Sequence, residues 1–173
     1  RSCLPKTRLA SDLRERLLLQ IAVLIHACGK FISVRNSNEC AYNIIMSTEI
    51  IGISHLEREI IANVVRYNIR DFDYNKVRME TELDAVTDSF GGQNEVMLLI
   101  AKLTAILRLA NSMDRGHGDK LADCKMAVKD GKLMITTDYP GDITLEAVSF
   151  EQKAAFFEEI FGIRPVLRHK KYR

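Results

Sequence analysis

Several features that would announce a function are missing from this sequence. The four cysteines, Cys3, Cys28, Cys40 and Cys124, form no C-x-x-C pair and no zinc-ligand spacing. That leaves them as small hydrophobes or free thiols and fits a reducing cytoplasm. No apolar run reaches the roughly 18 residues that mark a membrane span, and no charged start leads into an apolar core and cleavage site. Neither spanning nor export is therefore expected. Charge of one sign is lacking too: 25 Lys plus Arg face 23 Asp plus Glu, a formal net charge of +2. Global charge therefore does not announce a polyanion partner, which leaves local clusters to supply any such attraction. There is no Walker loop, G-x-G-x-x-G, G-x-S-x-G elbow or Ser/His/Asp arrangement, so nucleotide-loop and nucleophilic catalysis have no candidate residues. Internal repeats and low-complexity segments are absent as well.

What remains is 173 residues, 47% of them hydrophobic, enough for a substantial core in one domain or one domain with a small appendage. The chain begins Arg1-Ser2 without Met, which predicts a fragment with sequence missing upstream.

Leu17 to Ile25 is too densely apolar for an amphipathic surface helix and reads as a central, buried one, started by Asp12-x-x-Glu15. Gly29 stops it, residues 31–38 read as a loop, and a second helix is expected over about residues 39–50. Ser54-His55-Leu56-Glu57 is a capping box before a third helix in which Ile60, Ile61, Val64 and Val65 recur at helical spacing. A short helix near 79–86 and a long one over 95–114 follow. After Gly116 the period changes from 3.6 to 2. Residues 126–128 and 133–137 flank Lys129-Asp130-Gly131-Lys132 as a hairpin, and 143–148 is expected as a third strand. Ser149-x-x-Gln152 then caps a last helix through Phe161, closed by Gly162. The predicted plan is mainly α: a helical domain over 1–118 and a small antiparallel β-meander plus helix over 119–173, ending in a basic tail.

Candidate chemistry is sparse. His26 sits alone in LLLQIAVLIHACGKF, and an isolated imidazole on an apolar helix is more often a hydrogen-bonded core residue than a ligand. A metal would need converging donors, and Cys28, Glu39 and Cys40 are the nearest candidates. Arg108, Asn111 and Asp114 share one stripe of the long helix, either as a solvated face or as one wall of a cleft with His26 and Arg66. The tail RPVLRHKKYR holds Arg164, Arg168, His169, Lys170, Lys171 and Arg173, the densest positive charge in the chain. Such a run is usually a solvated terminus, but it would also hold a phosphate polymer through charge-assisted hydrogen bonds.

Four segments, RERLLLQIAVLIHACGKFIS, NECAYNIIMSTEIIGISHLEREIIANVVRYN, AKLTAILRLANSMDR and SFEQKAAFFEEIFGIRPVL, together resemble the C-terminal region of the exopolyphosphatase and guanosine pentaphosphate phosphohydrolase family, Ppx/GppA. The resemblance runs from about Leu13 to Leu167. It implies an HD-like all-α domain, related to phosphohydrolases that bind metal through paired His-Asp ligands. It also implies that catalysis belongs to two upstream actin-like domains, with magnesium as the cation of the parent enzyme and no catalytic residue or cofactor in this part. The family motif departs here in a consistent direction. His26 is followed by Ala27 rather than Asp, Glu39-Cys40 stands for His-Ser, Asn68 for His, and Asn111 for Asp, leaving a degenerate HD site of His26, Ala27, Glu39, Asn68, Asn111 and Asp114. Loss of carboxylates beside Arg66, Arg108 and Lys30 would turn such a cleft toward anions.

The expected role is an accessory domain that contacts polyphosphate or guanosine pentaphosphate through Lys30, Arg35, Arg66, Arg115, Lys120, Arg164, Arg168, Lys170 and Lys171, and that packs in a homodimer or against the upstream domains. No metal, membrane or nucleic-acid partner is expected of this part. Two alternatives stand beside it: a stand-alone HD phosphohydrolase acting on nucleotides with His26, Glu39 and Asp114 as ligands, and a pure dimerisation module.

Overall fold

A computed structural model of the chain describes residues 6–80 and 92–170. The described elements, in order, are α1 (Lys6–Ile25), a 3-10 turn (Cys28–Phe31), α2 (Ser37–Ser47), α3 (His55–Arg66), α4 (Tyr74–Glu80), α5 (Gln93–Met113), β1 (Lys125–Lys129), β2 (Lys132–Thr137), α6 (Thr144–Phe161) and β3 (Arg164–His169). The architecture is mainly α with a small β-sheet, as the period change predicts. The chain divides into two compact units, Arg1–Thr104 and Ala105–Arg173.

In the first unit the central helix is α3, not α1. From Leu56 to Arg66 every residue of α3 except Arg58 is buried, and the neighbours α1 and α2 both pack on it. Among the residues of α1 whose burial is described, Leu18 and Ala22 are buried, while Leu24 is 82% exposed. The apolar density of Leu17–Ile25 therefore misleads, because burial depends on how many faces of a helix meet a neighbour, not on hydrophobicity alone.

Helix α3 begins as expected. Ser54 Oγ accepts from Glu57 N at 3.3 Å and Glu57 Oε2 accepts from Ser54 N at 2.8 Å, a complete capping box. The same Glu57 carboxylate is gripped by Arg14 of α1, whose Nη2 also donates to Gly52 O at 2.7 Å. Hydrogen bonding to Arg14 holds the Glu57 carboxyl below the usual carboxylate range against the opposing effect of burial.

The turn after α1 is fixed by a close approach. A Cβ built on Gly29 would lie 1.8 Å from Ser37 O and 2.6 Å from Ala41 N, so only glycine lets the 3-10 turn pass against the start of α2. A short helix, α4, covers Tyr74–Glu80; of the helix expected near 79–86 it includes residues 79 and 80, and the rest of that expectation lies outside the described residues.

In the second unit, residues 143–148 are not a strand. They form the first turns of α6, because Phe150, Ala154, Phe157 and Phe161 recur at helical spacing through the same continuous segment. Ser149 consequently lies inside this helix, and Asp142 Oδ1 accepts from Thr144 N at 3.0 Å at its start. The third strand comes from the basic tail instead: β3 pairs parallel to β2, with Leu133 opposite Pro165 and Ile135 opposite Leu167. The sheet order is β1-β2-β3, antiparallel on one side and parallel on the other, so the predicted meander is replaced by a mixed sheet. A parallel neighbour needs a crossover, and α6 supplies it.

Ile135, Phe150 and Phe157 pack with Ala105 and Leu109, and Leu133, Leu167 and Phe161 close around them. Phe157 and Phe161 stack with centroids 4.5 Å apart. Burying a side chain such as Phe150 contributes about 2–3 kcal/mol.

Candidate functional site

The degenerate motif resolves into two local arrangements in the first unit. His26, at the end of α1, donates from Nδ1 to Val23 O at 2.6 Å. It is half-buried rather than buried, and its bond is to its own helix terminus. Ala27 caps the 3-10 turn and contributes no donor side chain.

Glu39 lies elsewhere, on the first turn of α2, at the end of α3. Arg66 Nε donates to Glu39 Oε1 at 2.9 Å and its Nη2 approaches Glu39 Oε2 at 2.8 Å, a bidentate pair. Arg70, one turn further along the chain, grips the same Oε1. The Arg66 guanidinium, in a residue only 6% exposed, lies over the Tyr42 ring at 4.6 Å and within 6.0 Å of the Tyr67 centroid. Asn38 Nδ2 donates to Arg66 O at 3.3 Å. Beyond it Tyr67, Phe72 and Tyr74 form an aromatic run with centroid separations of 5.0 and 4.8 Å.

Burial would push the Glu39 carboxyl up. Hydrogen bonding to Arg66 and the charges of Arg66, Lys76 and Arg70 more than offset that and hold it below the ordinary carboxylate range. Glu39 is thus committed to two guanidiniums, whose donors take three of its roughly four lone-pair sites and whose positive charge opposes a cation beside it. Among the described residues no three His, Cys, Asp or Glu side chains converge to hold a metal ion. The donors described, with Glu39 held by Arg66 and Arg70, do not fit an HD-type metal centre.

Arg70 carried no signal in the sequence, since α3 ends at Arg66 and Arg70 reaches Glu39 from the turns that follow it. Tyr42 carried none either, since its place under a guanidinium depends on how α2 and α3 cross. Asn68, just past α3, is buried.

The second unit holds Asn111, which is half-buried, and Asp114. Asp114 Oδ2 lies 3.6 Å from His117 Nδ1, and its Oδ1 accepts from Asp119 N at 3.4 Å. His117 and Asp119 both adopt left-handed backbone conformations, with φ of 49° and 50°. This loop is anchored by Glu146 of α6, which is 1% exposed. Glu146 Oε1 accepts from Gly116 N at 3.2 Å, and Lys120 Nζ lies 3.3 Å from both carboxylate oxygens while also donating to Asp142 O at 3.0 Å. Arg108 is buried with its guanidinium 4.6 Å above the Phe156 ring.

A cavity of about 640 Å³ opens at the start of α6, lined in part by Tyr139, Asp142, Thr144, His169 and Lys170. His169 Nε2 donates to Tyr139 O at 2.6 Å, and both residues line it.

A family model, Ppx/GppA phosphatase, domain III, matches residues 4–153. The chain belongs to the Ppx/GppA phosphatase family. It carries the domain III of a Ppx/GppA-type enzyme, an accessory domain. No curated protein matches the chain. The match ends within α6, so β3 and the basic tail extend past the matched part of this domain III.

The cations singled out in the sequence divide into two groups within this domain III. Arg66 is paired with Glu39, Lys120 with Glu146, and Arg164 with Glu151 and Glu158, the last at 2.8 Å. Lys30, Arg35, Arg115, Arg168 and Lys170 are exposed and form no ion pair among the described residues. Lys171 lies outside the described residues. By length and hydropathy α5 alone among the described helices would suit a membrane span, with mean hydropathy 1.6, yet 61% of that window is buried inside the protein.

Proposed function

We propose that this domain III is the polyanion-contacting accessory part of a phosphoanhydride hydrolase. Its parent acts on terminal phosphates of polyphosphate or on guanosine pentaphosphate. Hydrolysis belongs to upstream actin-like domains, where magnesium would serve, and the parent is a cytoplasmic homodimer in which this part packs against its copy or its upstream neighbours. The single observation that carries the reading is the family match over residues 4–153. The distribution of charge supports it: the exposed cations Lys30, Arg35, Arg115, Arg168 and Lys170 are available to a phosphate chain, whereas Arg66, Lys120 and Arg164 are already neutralised.

The alternative of a stand-alone HD phosphohydrolase is disfavoured by the engagement of Glu39 with Arg66 and Arg70.

The test is polyphosphate binding against salt. Each neutralised phosphate contact releases counterions, so affinity is expected to fall steeply between low and physiological salt, and Lys170→Glu with Lys171→Glu is expected to flatten that slope. Binding that is absent at low salt favours a pure dimerisation module, which sedimentation would then show as a stable dimer. Tightly bound transition metal with phosphatase activity lost on His26→Ala would overturn the reading in favour of the enzyme.

A further inference from the structure

The three strands of the sheet contain five Lys or Arg residues, one His and no Asp or Glu. Strand alternation and register sort them by face. Leu133, Ile135 and Leu167 point into the core with α6, so their strand neighbours Met134, Thr136, Lys132, Val166 and Arg168 belong to the opposite face. Directly paired residues share a face, and the register places three rows there. One row is Lys125, Thr136 and Arg168, the next is Ala127, Met134 and Val166, and the last is Lys129, Lys132 and Arg164. The face is therefore basic, apolar and basic in successive rows. Lys125, Lys129, Lys132 and Arg168 are exposed, with no ion pair among the described residues, whereas Arg164 is turned to Glu151 and Glu158.

We infer that this face is a docking surface for an acidic amphipathic helix of a partner protein. The outer rows lie about 14 Å apart, four residues at about 3.4 Å each, and a helix with its side chains is about 10–12 Å across. A helix laid across the strands places an apolar ridge on Ala127, Met134 and Val166 and carries acidic flanks to the lysines on both sides. The row spans about 10 Å across three strands, which two helical turns cover.

Other occupants match less of the pattern. A phosphate chain gains nothing from the apolar row. Single-stranded nucleic acid relies on aromatic platforms, and the three rows hold no aromatic side chain. A second copy of the same face meets it with charge of the same sign.

The probe is a synthetic helical peptide with a leucine ridge flanked on both sides by glutamates, titrated into the full chain by fluorescence anisotropy. A control peptide keeps the glutamates and replaces the leucines by glutamine. The leucine peptide is expected to bind at least about tenfold more tightly than the control, a difference near 1.4 kcal/mol. Lys125→Glu, Lys129→Glu and Lys132→Glu combined should weaken it by at least about tenfold while leaving polyphosphate affinity unchanged. Circular dichroism confirms folding of the variant, and Lys125→Ala with Lys129→Ala replaces it if the triple change unfolds. Equal binding of the two peptides, or binding indifferent to these lysines, overturns the inference. Loss of polyphosphate binding in the lysine variants with no preference for the leucine ridge also overturns it, and assigns the face to phosphate.

Discussion

The helical unit and the sheet unit treat positive charge in opposite ways. At the end of α3 a guanidinium is buried, held bidentate by Glu39, stacked on Tyr42, and seconded by Arg70 on the same carboxylate. On the outer face of the sheet Lys125, Lys129, Lys132 and Arg168 stand exposed with no acid on any of the three strands. A buried charge must be matched because desolvation costs several kcal/mol per ion. An exposed lysine keeps its hydration and can stay unmatched until a partner arrives. The contrast separates residues that hold the fold from residues that offer recognition, although both are simply Lys and Arg in the sequence.

The first way to break this contrast is at Gly29. Gly29→Ala drives a Cβ into the Ser37 carbonyl, a backbone atom that cannot swing aside. A loss of about 3 kcal/mol or more is expected in urea unfolding, at the upper end of overpacking costs.

Glu39→Ala comes next. It leaves Arg66 buried without its carboxylate, with an expected cost of about 2–4 kcal/mol. The double change Glu39→Leu with Arg66→Met should recover much of that loss, because it removes both charges together. Failure of the double variant to recover would show that packing on Tyr42, not pairing, is what Arg66 contributes.

Acid should then act on the helical unit before the sheet. Glu39 and Glu57 both titrate below the ordinary value of 4.5 in the folded state. Their contribution is fully present above that value and is lost as pH falls through the lower folded-state values. A stability profile by denaturant titration should decline below about pH 4.5, and Glu39→Gln should blunt the decline. Arg14 is more exposed than Arg66, so Glu57→Gln should blunt it less.

The smallest effect belongs to the sheet. Lys129→Glu or Lys132→Glu should change unfolding free energy by no more than about 0.5 kcal/mol, since both side chains are exposed. A larger loss would mean that the face is already matched and would erase the contrast.

Much of the helical plan was legible. The capping box Ser54-x-x-Glu57, the α3 pattern and the long α5 all rest on interactions within a few residues of sequence. The hairpin of β1 and β2 was legible for the same reason, with Asp130 and Gly131 both at positive φ in its turn. Residues 143–148 misread because ITLEAV alternates over so short a span that strand and helix periods both fit. The following Phe150, Ala154 and Phe157 decide for the helix. The basic tail read as a terminus because RPVLRH has no local partner, and its strand exists only through pairing with β2 after α6 has crossed over.

The sequence by itself determined the family, the helical class and the change of period near Gly116, because each is written in residue identity or short-range spacing. Only the tertiary structure decided which helix of the first unit is central, that Glu39 closes on Arg66 and Arg70, and that basic and apolar residues of β1, β2 and β3 assemble into ordered rows around Met134. Apart from the β1–β2 hairpin, those outcomes depend on contacts between residues 27 to 43 positions apart. No local rule fixes such contacts, because the packing of helices and strands chooses them.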